Sequence, residues 1–157
     1  RFGGAPGGSR SLADKREHIV PYGHGGRERV PWCAEEKIGV IPWSPLARGK
    51  LTRPWQDEGG GRAQTDEVGK TLYQPTEDAD REVVGRLNQM AGDKGVPPAQ
   101  LALAWMLHQS VVTAPIIGAT KLHHLDDAVA ALELKLSPNE IAALEESYVP
   151  HPVLGFS

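Results

Sequence analysis

The chain has 157 residues, 39% of them hydrophobic and 24% charged, with a formal net charge of −3 at neutral pH. This balance fits a globular domain with its own core and argues against broad electrostatic attraction to nucleic acid or acidic membranes. The lone cysteine, Cys33, excludes an internal disulfide framework and fits a reducing cytoplasm, the expected location, while no apolar run approaches the roughly 20 residues of a membrane span.

Residues 1–26 interleave Gly3, Gly4, Gly7, Gly8, Gly23, Gly25 and Gly26 with Pro, Ser and Arg and keep no helical or strand period, so disorder is expected there. Order is expected from residue 27 onward. Glu28 to Lys37 reads as a short helix, with Cys33 one of its small apolar residues. Ile38 to Trp43 is a brief apolar run with β-branched residues, the pattern of a strand buried on both faces, and Pro42 near its end is where a missing N–H does least harm. Residues 50–75 read as a long loop, charged and containing Gly59-Gly60-Gly61.

Thr76 is a suitable N-cap for a helix whose apolar face is Val83, Val84, Leu87, Met90 and Ala91, with Gly92 and Gly95 marking its end. A second helix is predicted from Pro98 to about His108, with Leu101, Ala104, Trp105, Leu107 and His108 spaced for burial. The strand Thr113–Ile117 follows, then an amphipathic run from Leu122 to Leu132 whose stripe is Leu125, Ala128, Val129 and Leu132. Ser137-Pro138-Asn139-Glu140 has the form of a capping box and opens a helix to about Ser147; the tail from Tyr148 is expected to be extended. The alternation is that of an α/β fold with parallel strands. Two strands are too few for a stable sheet, and a β/α barrel takes about 250 residues, so the chain reads as the end of something larger.

Ile116-Ile117-Gly118-Ala119-Thr120-Lys121 carries the clearest chemistry. A strand runs into glycine, a small residue, a hydroxyl and a cation, and a helix begins there. The helix's first N–H groups lack intrahelical partners and lie at the positive end of its dipole, the layout of a phosphate site. Gly118 lets a phosphate approach the backbone, Thr120 can cap the helix and offer its hydroxyl, and Lys121 adds charge. The loop after Trp43 has similar chemistry, which suggests two halves of one nucleotide cradle. On the residues alone Trp43 is a core aromatic or a stacking platform. Arg48, Lys50 and Arg53 serve either a pyrophosphate or a solvated loop face, and Trp32, Trp55 and Trp105 read as packing residues. His123 and His124 diverge by about 100° on a helix, so a zinc ion shared between them is not expected.

Together these segments resemble the aldo-keto reductases. The residues that carry the resemblance are Trp43-Ser44-Pro45-Leu46-Ala47-Arg48-Gly49-Lys50-Leu51 and Ala114-Pro115-Ile116-Ile117-Gly118-Ala119-Thr120-Lys121, with His124, Leu125 and Asp127 after them and Gln100-Leu101-Ala102-Leu103-Ala104-Trp105 between. It covers roughly Arg27 to Phe156 and implies the last two βα units and C-terminal helix of a (β/α)8 TIM barrel. It further implies an oxidoreductase that binds NADPH or NADP+ and reduces a small-molecule aldehyde or ketone, with neither nucleic acid nor membrane as partner. By position, Trp43 matches the platform for the nicotinamide ring, and Ser44, Leu46 and Gly49 match the pyrophosphate loop. Gly118, Thr120 and Lys121 match the site of the adenosine 2′-phosphate. His124 and Asp127 face the adenine end, where many members have Gln and Glu, and Ala128 stands where many have Asn.

The family's proton-donating Tyr, with its Lys, Asp and His, comes from the first four strands. Tyr22, Tyr73 and Tyr148 do not sit in that context, so no residue is assigned a catalytic role and the chain alone is expected to be inactive. His18 to Gly26 replaces a family strand with unrelated Gly- and Arg-rich sequence, the kind of switch that a frameshift in GC-rich coding DNA produces. A non-catalytic NADPH-binding or regulatory module and an inactive gene remnant are the alternative readings.

Overall fold

A helical turn at residues 32–35 opens the described part of the chain; a computed structural model describes residues 32–55 and 77–148. There follow a 3₁₀ turn, η1 (Ala47–Thr52), and four helices: α1 (Glu77–Lys94), α2 (Pro98–His108), α3 (Leu122–Ala130) and α4 (Pro138–Glu145). The expectations for residues 1–26, for Thr76, for most of the 50–75 loop and for the tail past Tyr148 lie outside the described residues.

The core is built around α2. Leu101 through Met106 are all buried, so this helix is enclosed on every side, as an element apolar around its full circumference must be. Val83, Val84, Leu87 and Ala91 of α1, Ala47 and Leu51 of η1, Ala131, Leu136 and Leu144 pack into the same cluster. Full burial of an aliphatic side chain such as Leu101 or Leu51 stabilises by about 1.5–3 kcal/mol. The Trp105 indole donates from Nε1 to Glu145 Oε1 at 3.0 Å, which ties α2 to α4. Ion pairs from Arg86 to Glu146 and from Lys94 to Glu140 join α1 to α4 at the surface. His108, expected to be buried, is exposed at the end of α2, and Trp32, expected to pack, is 47% exposed.

Helix ends follow local sequence closely. The helical turn at 32–35 closes with Lys37 N–H donating to Ala34 O and Ile38 N–H to Cys33 O, the paired bonds of a Schellman motif, with Lys37 at φ 55°. The same pair closes α1, from Gly95 N–H to Gly92 O and Val96 N–H to Ala91 O, with Gly95 at φ 67°. At the start of α4 the predicted capping box is present: Ser137 accepts from the Glu140 N–H, and Glu140 reaches back to the Ser137 N–H.

The two predicted strands are reduced to isolated parallel bridges, Val40 with Val112 and Trp43 with Ile116. Prolines are the reason. Val40 pairs regularly, donating to Val111 O and accepting from the Thr113 N–H. The next two donors of a parallel ladder would be residues 42 and 115, and both are prolines without an N–H. The ladder therefore skips a residue and resumes with Ile116 N–H donating to Pro42 O at 2.7 Å. Between the bridges one segment advances three residues and the other four, a bulge forced by sequence. Gly39 permits this approach, since a Cβ there would collide with the Thr113 hydroxyl.

Helix α3 departs from expectation. Its predicted stripe does not turn inward as a whole: Ala128 packs on the core, but Leu125 and Val129 within the helix and Leu132 just after it are exposed, and α3 buries no residue fully. Small residues face the core and large ones face outward.

Candidate functional site

Because the bridges are parallel, both segments end on the same side, and the loops after Trp43 and after Ile117 leave the ladder together. Trp43 is itself bridged to Ile116, which brings the two sequence-predicted halves of the cradle side by side. This is the C-terminal end of the strands, where parallel α/β folds place their sites.

The first loop has unusual backbone geometry. Ser44 (φ 48°), Ala47 (φ 48°) and Arg48 (φ 55°) are left-handed without being glycine, and Gly49 follows at φ 98°. Such residues cost on the order of 1 kcal/mol or more each and persist only where surrounding structure over-determines them. Here the anchors are Ala47 and Leu51, at 0% and 1% exposure in the main core. Within the loop, the N–H groups of Ala47 and Gly49 donate to Ser44 O and Leu46 O, and Thr52 Oγ1 donates to Gly49 O at 2.7 Å. The Arg53 guanidinium lies beside Gly49, and Lys50 Nζ sits 4.1 Å from the centroid of the Trp55 ring. The basic cluster is thus partly engaged in holding its own loop.

Asn88 was not legible in the sequence as part of this region. Its Nδ2 donates to Val84 O within α1 and to Arg53 O, closing the far end of the loop. An amide inside the face formed by Val84, Leu87 and Ala91 was the available signal, because Asn competes with helix backbone and needs a reason to be there.

The second loop is open. Gly118, Thr120 and Lys121 are exposed, and His124 and Asp127 are half-buried on α3. A Cβ at Gly118 would meet nothing within 4 Å and its φ is not left-handed, so the fold itself does not require glycine there. The expected capping by Thr120 is not what the structure has. Lys121 occupies the N-cap without a side-chain cap bond, and Thr120 sits one residue earlier. Its N–H donates instead to His124 Nδ1 at 3.4 Å, so the histidine closes the turn that the hydroxyl was expected to close. The His123 and His124 rings meet edge to face with centroids 4.5 Å apart.

Parallel segments with helices packed against them and with paired loops at one end are the arrangement of a parallel α/β fold. In keeping with this, the structure superposes on a glycerol dehydrogenase of Gluconobacter oxydans with a TM-score of 0.61, covering 81% of this chain and 40% of that one at 21% identity, a likeness of fold. The aldo/keto reductase family profile matches residues 25–149, and the chain belongs to that family. It is 40% identical over 129 residues to the versiconal hemiacetal acetate reductase of Aspergillus parasiticus, covering 81% of this chain and 37% of that protein. An aldo-keto reductase of Alternaria alternata is 35% identical over 151 residues, 95% of this chain and 40% of its own length. The chain thus spans about two fifths of the length of these relatives.

Proposed function

We propose that residues 27–157 form the last two βα units and C-terminal helix of a cytoplasmic, NADPH-dependent aldo-keto reductase that reduces small aldehydes or ketones, and that this part holds the cofactor. The observation that supports it most is the Trp43–Ile116 bridge, which sets the two loops of the cradle at one end of the ladder.

In this reading Trp43 offers its ring face to the nicotinamide. Ser44, Leu46 and Gly49 border the pyrophosphate, with the Ser44 hydroxyl as a donor and Gly49 leaving room for a close approach to the backbone. Gly118, Thr120 and Lys121 receive the 2′-phosphate, and His124 and Asp127 border the adenine. The residues fit such a group: a glycine the fold does not need stands beside an exposed lysine at a helix start. NADPH, when bound, supplies the reducing equivalent. The chain's own residues orient it and discriminate the phosphorylated ribose by charge, while proton donation falls to the family's catalytic Tyr, to which no residue here is matched.

Titrating the chain with NADPH and with NADH while following tryptophan fluorescence tests this. Saturable quenching by NADPH at lower concentration than by NADH is expected, with no oxidation above blank when an aldehyde is added. A chain that binds neither nucleotide refutes cofactor binding, and clear turnover refutes the expectation that the chain alone is inactive.

A further inference from the structure

His124 meets the backbone of the turn before it. Its Nδ1 accepts the Thr120 N–H at 3.4 Å, from a half-buried ring in the first turn of α3. A ring nitrogen accepts a hydrogen bond only while it carries no proton, so the contact requires a neutral imidazole protonated on Nε2. Histidine is also the side chain whose charge ordinarily changes between pH 5 and 8. A proton on Nδ1 turns the acceptor into a donor, and two donors then face each other. The Thr120 N–H is released, in the loop that carries Gly118 and Lys121.

The surrounding charges decide when this happens. Lys121, three residues back, and the positive end of the α3 dipole oppose a charged His124. Asp127, three residues on along the same face, favours it, while Asp126 and His123 are exposed. The His123 ring meets His124 edge to face, and two imidazolium rings in contact repel, so the pair holds one proton before it holds two. On α2, which packs against α3, the one titratable side chain is His108, which precedes the 112–117 segment whereas His124 follows it. That segment contains no ionisable side chain. In the first loop Arg48 is exposed, and Arg53 and Lys50 lie against Gly49 and the Trp55 ring. With the site empty, Lys121 and the dipole favour the neutral ring that the Thr120 contact needs. A dianionic phosphate reverses the preference: it pairs with an imidazolium, and it competes for the N–H that neutral His124 occupies.

We propose that His124 is a proton-dependent latch on the phosphate loop. Neutral, it holds the Thr120 N–H and closes the turn; protonated, it frees that donor and adds a cation, so a 2′-phosphate enters together with a proton. The inference rests on the reading that this loop receives the 2′-phosphate, and it adds a regulation of that site. Acidification through the histidine range strengthens the His124 contribution to NADPH binding and leaves NADH, which lacks the phosphate, unaffected. The phosphate itself titrates at about pH 6 in the opposite sense, because a cationic site prefers its dianion. A proton count taken by difference between two chains removes that contribution.

The full chain is titrated calorimetrically with NADPH and with NADH at neutral pH in buffers of different ionisation enthalpy, which counts the protons taken up on binding. The parent chain should take up roughly half a proton more per NADPH than the His124→Gln variant. Glutamine keeps an oxygen able to accept the Thr120 N–H and does not titrate, so the turn is retained while the proton is removed. His123→Gln should leave the uptake in place, and with NADH the parent chain and His124→Gln should not differ. Uptake that persists in His124→Gln, or that disappears in His123→Gln instead, overturns the latch and leaves cofactor binding standing. A chain that binds no NADPH overturns the cofactor reading and the latch with it.

Discussion

Asn88 Nδ2 donates at 3.3 Å to the carbonyl of Arg53, a residue 35 positions earlier, and at 2.8 Å to Val84 O. One amide thus fastens the loop after Trp43 to the longest helix of the core. Asn88→Ala should lower the unfolding free energy by about 1–3 kcal/mol, read from urea denaturation. Asn88→Asp should do worse, because a carboxylate would face two carbonyl oxygens. If the loop carries the pyrophosphate, Asn88→Ala should also weaken NADPH more than adenosine 2′-monophosphate, which lacks that group. Equal weakening of both would remove Asn88 from any role in positioning the loop.

Lys121 should govern the choice between the two nicotinamide cofactors. If it holds the 2′-phosphate as proposed, replacing it by Met removes a charge-assisted contact of about 1.5–3 kcal/mol, equivalent to roughly a 10- to 100-fold loss of NADPH affinity. NADH affinity should hardly change. Isothermal titration with both nucleotides decides the matter, and a parallel loss for NADH would place the lysine's effect elsewhere.

Glu140 makes stability depend on acidity. Its carboxyl is held down from 4.5 to about 2, first by the Lys94 ammonium and then by the backbone N–H and hydroxyl of Ser137. A lowered pKa means that the folded state binds fewer protons than the unfolded one. Its stabilisation is therefore complete above about 4.5 and is lost as pH falls toward about 2. Urea midpoints of the parent chain and Glu140→Gln should differ most near neutrality and converge across that window. A gap that stays constant down to the acid limit would show that the carboxyl is not the group responsible.

Lys37 stands where a glycine serves better. It is an exposed residue at φ 55°, closing its helix with the bonds that Gly95 makes at φ 67°. Lys37→Gly should stabilise by up to about 1 kcal/mol, because the left-handed penalty of about 1–2 kcal/mol exceeds much of glycine's extra entropy. Gly95→Ala should cost about 1 kcal/mol for the opposite reason. Thermal unfolding of the two single variants gives both signs, and a destabilised Lys37→Gly would mean that the lysine side chain contributes contacts of its own.

Legibility in the sequence tracked the range of the interaction. Ser137 with Glu140, Pro98 at a helix start and Gly95 just past a helix end all act within four residues, and all were readable. Periodicity showed that α3 has an apolar stripe but not which side is covered, because that depends on residues beyond the helix. The two expected strands survive only as isolated bridges, because Pro42 reads as harmless at a strand end and its joint effect with Pro115 appears only when the two segments lie side by side. Of the proposed cradle, the two loops are suggested by residue type. Their adjacency came from the fold, and so did the Asn88 tether and the replacement of the Thr120 cap by His124.

The skipped ladder gives this protein a built-in reporter. Proline has no amide proton to exchange with solvent, so positions 42 and 115 are silent, and the bond that holds Trp43 beside the second loop is made by the Ile116 amide. Its deuterium uptake therefore measures how often the two loops separate, and a cofactor that spans them should slow that single proton more than its neighbours.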